Sequence, residues 1–199
     1  MIGLFGNFGH SAVLLPASLF LAFVLFTAGR RKDAFAFSVA LAICLATTLL
    51  GKLAVHACHA QMSEFDLESP SGHTAFAALF YGCLALIFAA GWPRLRAIAL
   101  YIATTLLVLL VGVSRVVITV HTAPDVVLGF AIGGCAVLVF HALRGRPRPV
   151  VIAARTWAVA VPVGVVLVGL ILLAAHRWTP EPLIAAAARR LDLWLALCV

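Results

Sequence analysis

Two short stretches carry side chains able to hold and cleave a phosphate-like group: "SPSGH" at 69–73 and "SRVVITVHTAPD" at 114–125. In the first, Ser69 reads as a helix N-cap and Pro70 as the first helical residue, since a proline there gives up only an amide that would be unpaired anyway. The amides of Ser71, Gly72 and His73 would then point out of the helix start, where free N–H groups and the positive dipole end attract an anion. Gly72 leaves room for close approach, the Ser71 hydroxyl can donate, and His73 can deliver a proton. Taken alone, a plain capped helix start explains these residues just as well.

The second stretch changes that balance. Arg115 offers a permanent, forked cation suited to phosphate oxygens. Ser114 and His121 share a face if the helix persists between them. Thr122 or Ala123 ahead of Pro124 reads as a further helix start, with Asp125 in its first turn. A carboxylate four residues beyond a histidine can accept its ring N–H and fix the tautomer, which leaves the other nitrogen of His121 as a nucleophile. Singly, His121 and Asp125 could be a structural loop pair and Arg115 a snorkelling cation. Jointly, and opposite "PSGH", they point to chemistry. Lys52, late in an apolar run, either snorkels or meets an anion.

The elements that must position these residues are membrane spans. The chain has 199 residues, 64% of them hydrophobic and 11% charged, which marks a polytopic membrane protein of all-α class. Crossing a bilayer takes about 20 mostly apolar residues. Runs of that kind fall at 11–29, 34–56, 74–91, 97–118, 126–143 and 157–175, giving six transmembrane helices in a single domain over 1–199. The first run has no basic leader before it and reads as a retained helix. The tail at 180–199 carries Arg189, Arg190 and Asp192 in its middle and reads as an interfacial helix.

Charge orients the bundle. The loops "GRRKD", "GWPRLR" and "RGRPRP", with Arg155, hold nine of the fourteen Lys and Arg, whereas six of the seven acids lie on the other side. Basic loops stay in the cytoplasm, so both termini and all four polar clusters (Lys52, 69–73, 114–115, 121–125) face outward. Basic residues scattered over three short loops do not make a nucleic-acid surface. The five cysteines show no CxxC pair and no metal-ligand spacing, and a Cys58–Cys198 disulfide is left open.

"PSGH" at 70–73, with Ser114, Arg115, His121 and Asp125 spaced as SRxxxxxHxxxD, resembles the type 2 phosphatidic acid phosphatase superfamily (PAP2) over roughly residues 52–129. That superfamily comprises membrane lipid phosphatases, soluble acid phosphatases and vanadium haloperoxidases. The resemblance implies that His121 attacks phosphorus to form a phosphohistidine, supported by Asp125, while His73 protonates the leaving oxygen and later activates water. It also implies that Ser71, Gly72, Arg115 and Lys52, with Ser114 beside them, hold the phosphoryl oxygens. No metal or other cofactor is expected where cations surround those oxygens.

One departure stands out. The family's first motif places an arginine and a proline after a lysine and six residues, and here those positions are His59 and Ala60. Either His59 or His56 takes up part of that arginine's work, or the site runs with fewer fixed charges. A histidine there is charged only at mildly acidic pH, so activity would fall with rising pH. The expected function is hydrolysis of a membrane lipid phosphate or diphosphate at the outer face of a bacterial inner membrane. The substrate would be undecaprenyl diphosphate, phosphatidylglycerophosphate, phosphatidic acid or phosphorylated lipid A. Lipid-to-lipid phosphotransfer and a non-catalytic anion or lipid carrier are the alternatives.

Overall fold

A computed structural model describes residues 8–58 and 66–145, together with positions 164, 184, 186–188 and 190. Among the described residues all regular structure is helical: α1 (Ser11–Thr27), α2 (Arg31–Ala57), α3 (Gly72–Phe88), α4 (Arg94–Val117) and α5 (Ala123–Leu143). Each of the first five apolar runs becomes one helix, with ends within a turn of those expected. The sixth run, nearly all of the tail at 180–199, His59 and Cys198 lie outside the described residues.

Helices α2, α4 and α5 are long and apolar enough to cross a membrane, and α1 and α3 are shorter apolar helices. On α4, Leu95, Ile102, Leu106, Val113 and Val117 are exposed. Such a face is a liability in water and the natural solvent-facing surface in lipid. These are the helices of a membrane protein.

Helix α3 sits in the middle, packed most closely on α5, while α5 leans on α2, α4 on α3 and α1 on α2. The α3–α5 seam is made of small residues. A Cβ on Gly129 would stand 2.6 Å from the Ser71 carbonyl oxygen, and one on Gly133 would run into the Ala75 carbonyl and the Ala78 methyl. This Gly-x-x-x-Gly spacing lets two backbones touch, the usual way to gain packing where lipid supplies no hydrophobic drive. Gly133→Ala is therefore expected to force the pair apart at a cost of about 1–3 kcal/mol, read as a lower unfolding temperature in detergent. Because the same seam seats Ser71 against Gly129, the start of α3 should shift with it.

At the end away from the motifs, Asp33 in the first turn of α2 accepts from Arg30 Nε at 2.6 Å. Arg144, the buried C-cap of α5, donates Nη1 to the Leu86 carbonyl of α3 at 2.7 Å and brings Nε to 3.5 Å from Asp33 Oδ1. Its guanidinium also lies over the Phe140 ring, 5.1 Å from the centroid. This clasp joins α2, α3 and α5 where the basic loops begin. Between the two ends, Phe37, Cys44, Leu79, Cys83 and Phe140 fill the core. Cys44, Cys83 and Cys135 are free thiols, and Cys58 is disulfide-bonded.

Candidate active site

Alternation of short turns sends the start of α1, the end of α2, the start of α3, the end of α4 and the start of α5 to one end of the bundle. Helix α3 begins later than expected. Ser71, not Ser69, is its N-cap, and Gly72 is the first helical residue. The reason is local: the Ser71 hydroxyl accepts from the Thr74 amide at 3.5 Å and from the Thr74 hydroxyl at 3.0 Å, and its own amide donates to the Asp125 carbonyl at 3.1 Å. Ser71 is thus fully buried, and its hydroxyl oxygen accepts both bonds while its own proton is left to donate. The amides left without an intrahelical carbonyl belong to Gly72 and His73. A Cβ on Gly72 would meet only ordinary contacts, with Phe76 and Thr48 at 3.6 and 3.7 Å, so the protein itself does not demand glycine there.

Helix α4 stops at Val117, so Ser114 and His121 do not share a helical face as the sequence suggested. Thr119 adopts a left-handed conformation (φ 56°), and the turn closes through Thr119 N–H to the Val116 carbonyl and Val120 N–H to the Arg115 carbonyl, at 2.9 and 3.2 Å. That turn is unusual for a β-branched residue and folds the chain straight back into α5. The Ser114 hydroxyl, fully buried, donates to the Val111 carbonyl at 2.6 Å. Its proton is thus engaged inside the helix.

Thr122 caps α5 as anticipated, in a capping box with Asp125. Asp125 is fully buried, and both its oxygens are in use. Oδ2 lies 3.3 Å from His121 Nδ1 and accepts from the Thr122 amide at 3.2 Å. Oδ1 accepts from the amides of Glu68 and Ser69 at 3.1 and 2.9 Å. One carboxylate therefore fixes the imidazole and also fastens the loop before α3 to the start of α5. Nothing in residue type or spacing announces this second task.

Lys52 reaches the same place. It is buried, and its Nζ donates to the Ser69 hydroxyl at 2.9 Å. His73 lies within electrostatic reach of Arg115, His10, His121 and Lys52. Arg115 Nε is buried with no hydrogen-bond partner among the described residues. The expected members His73, His121, Asp125, Arg115, Lys52 and Gly72 are thus brought together. His10 joins them unannounced: its ring stands edge-to-face against His73, with centroids 5.2 Å apart.

Burial holds the His121 pKa below the usual histidine value; the Asp125 hydrogen bond and charge oppose this, while Lys52 and Arg115 add to it. The ring therefore stays neutral to lower pH than a free histidine does. The His121-dependent acid limb of kcat/KM, which reports the free enzyme, is expected below pH 6.5. A limb displaced upward would contradict this assignment.

A family model described as PAP2 superfamily matches residues 52–149, the segment holding Lys52, α3 and both motif histidines. The chain is also 32% identical over 149 residues to an "Uncharacterized 22.5 kDa protein in cps region" of Klebsiella pneumoniae, a match covering 71% of this chain and 69% of that relative. No solved structure matches the chain. The chain belongs to the PAP2 superfamily, and the activity this membership supports is that of a phosphatase acting on phosphate esters.

Proposed function

We propose that this protein is an integral membrane enzyme hydrolysing the phosphate or diphosphate monoester of a membrane lipid through a phosphohistidine on His121. The observation that carries the reading is the His121 Nδ1–Asp125 contact at 3.3 Å, which leaves Nε2 as the free nitrogen beside His73, Arg115 and Lys52. Drawn as Nδ1–H donating to the carboxylate, the neutral ring presents an Nε2 lone pair.

That lone pair forms the N–P bond as the P–O bond to the lipid breaks. The bonding pair stays on the leaving oxygen, which takes a proton from His73. Water then attacks the phosphohistidine and gives a proton back to His73, which releases inorganic phosphate and restores the His121 lone pair. Arg115, Lys52 and the Gly72 and His73 amides hold the equatorial oxygens, where charge gathers in transfer. Binding and orientation do most of the work.

Six spans, with the motif end outward, fit the basic loops gathered at the Arg30 and Arg144 end. A disulfide at Cys58, close to the motif end of α2, suits an oxidising compartment such as a periplasm. The substrate is then a phosphorylated lipid of the outer leaflet, either a phospholipid or an isoprenoid, reached from the side through the bilayer.

The test uses purified protein in detergent with undecaprenyl diphosphate, phosphatidylglycerophosphate and phosphatidic acid. Release of inorganic phosphate is expected from at least one of them, along with an acid-labile, alkali-stable phosphoprotein after a rapid quench of labelled substrate. Transfer of label to a second lipid in place of water would mark a phosphotransferase. No turnover and no labelled protein would defeat the proposal.

A further inference from the structure

The segment ahead of α1 packs onto the site by several independent contacts. The Phe8 carbonyl accepts from the Tyr81 hydroxyl of α3 at 3.0 Å. Gly9 is buried, and a Cβ on it would collide with Val111 and stand 3.2 Å from the His73 carbonyl oxygen. A larger residue would be stopped chiefly by the Val111 side chain of α4, with the His73 carbonyl of α3 as the second, tight wall. The next residue, His10, is the N-cap of α1, its Nδ1 accepting from the Ala12 amide at 3.3 Å. With Nδ1 occupied as an acceptor, the proton of the neutral ring sits on Nε2. The ring meets His73 edge-to-face at 5.2 Å.

We propose that His10, delivered by the 8–10 strap, is a positioning residue for His73: it fixes the orientation of the ring that passes the proton to the leaving oxygen. The proposal rests on the phosphatase reading above and adds a residue outside the three motif segments. His73 is faced by His10 from the strap, Lys52 from α2, Arg115 from α4 and His121 from the α4–α5 turn. Of these, His10 is the one in ring contact with it. Burial and the nearby Arg115 keep the His10 pKa below the usual value, so its ring is neutral near pH 7. A neutral neighbour orients His73 without opposing the charge His73 carries before it gives up its proton. His10 touches neither phosphorus nor nucleophile, and its effect runs through His73 alone.

His10→Asn separates capping from positioning, because an asparagine oxygen still accepts the Ala12 amide while the imidazole is lost. Two substrates separate protonation from attack. A p-nitrophenolate leaves without a proton, whereas the alkoxide of a lipid phosphate needs one. On the lipid monophosphate that the wild type hydrolyses fastest, whose leaving group is an alkoxide, His10→Asn is expected to lower kcat/KM, which reports formation of the phosphohistidine, about 10- to 100-fold. The loss on p-nitrophenyl phosphate should be at least tenfold smaller. In the double variant with His73→Ala, the loss should be no greater than for His73→Ala alone, since one residue acts through the other. Wild-type unfolding temperature and elution volume for His10→Asn verify that the fold is intact.

Equal losses on both substrates, no loss on either, or additive losses in the double variant would overturn the proposal. Failure of the phosphatase reading has a different signature. It would leave phosphate release unaffected by His121→Ala, whatever His10→Asn did.

Discussion

Replacing His121 with alanine is expected to lower kcat for lipid phosphate hydrolysis by roughly four orders of magnitude or more, the scale of losing a covalent nucleophile. No neighbour can take its place. Arg115 and Lys52 are cations, and in the proposed reaction His73 is committed to the leaving oxygen. The fold should survive, because Asp125 keeps its three backbone donors from Glu68, Ser69 and Thr122. Circular dichroism and unfolding temperature should therefore match the wild type while phosphate release and the labelled phosphoprotein disappear together. A variant that folds and still turns over at more than a few per cent would take the nucleophile away from this residue.

Asp125→Asn should do two kinds of damage at once. The carboxylate has an oxygen for each side of the site, one for Glu68 and Ser69 and one for His121 and Thr122. An amide has one oxygen and one NH2, so whichever way it turns, a donor meets donors. If the NH2 faces His121, the imidazole must offer the wrong nitrogen; the comparable change in a serine-protease triad costs roughly 10⁴ in kcat. If it faces the loop, the Glu68 and Ser69 amides, neither of them fully buried, lose their acceptor, at about 0.5–1.5 kcal/mol for each hydrogen bond lost. Both the turnover number and the unfolding temperature should fall. Hydrogen exchange at the Glu68 and Ser69 amides should speed up. Lost activity with those amides still protected would show that the carboxylate serves the imidazole alone.

Much of this arrangement was legible from residue types. Apolar run lengths gave the first five helices, and the alternation of basic and acidic loops sent His73, His121 and Lys52 to one end. Thr122–Pro124–Asp125 announced the start of α5. Ser69 misled because an N-cap preference is local, whereas the choice of Ser71 is made by Asp125, more than fifty residues away, which holds the amides of both Ser69 and Ser71. A helical face shared by Ser114 and His121 was not formed because α4 ends at Val117, and the Ser114 hydroxyl instead returns its proton to a carbonyl one turn back. The Gly129–Gly133 spacing was visible and does position the site. His10 left no signal of its own, since nothing in an N-cap histidine before an apolar run indicates what it will lie against.

The clasp at the far end has a bearing on traffic through the bundle. Helices α2, α3 and α5 are fastened there by Asp33, Arg144 and the Leu86 carbonyl, and fastened again at the motif end by Lys52, Ser69 and Asp125. A carrier must open toward each compartment in turn by swinging one part against another. Among the described helices these three are tied at both ends, so a swing of one against the others would first have to break a set of these contacts, and that supports the phosphatase proposed above over the carrier.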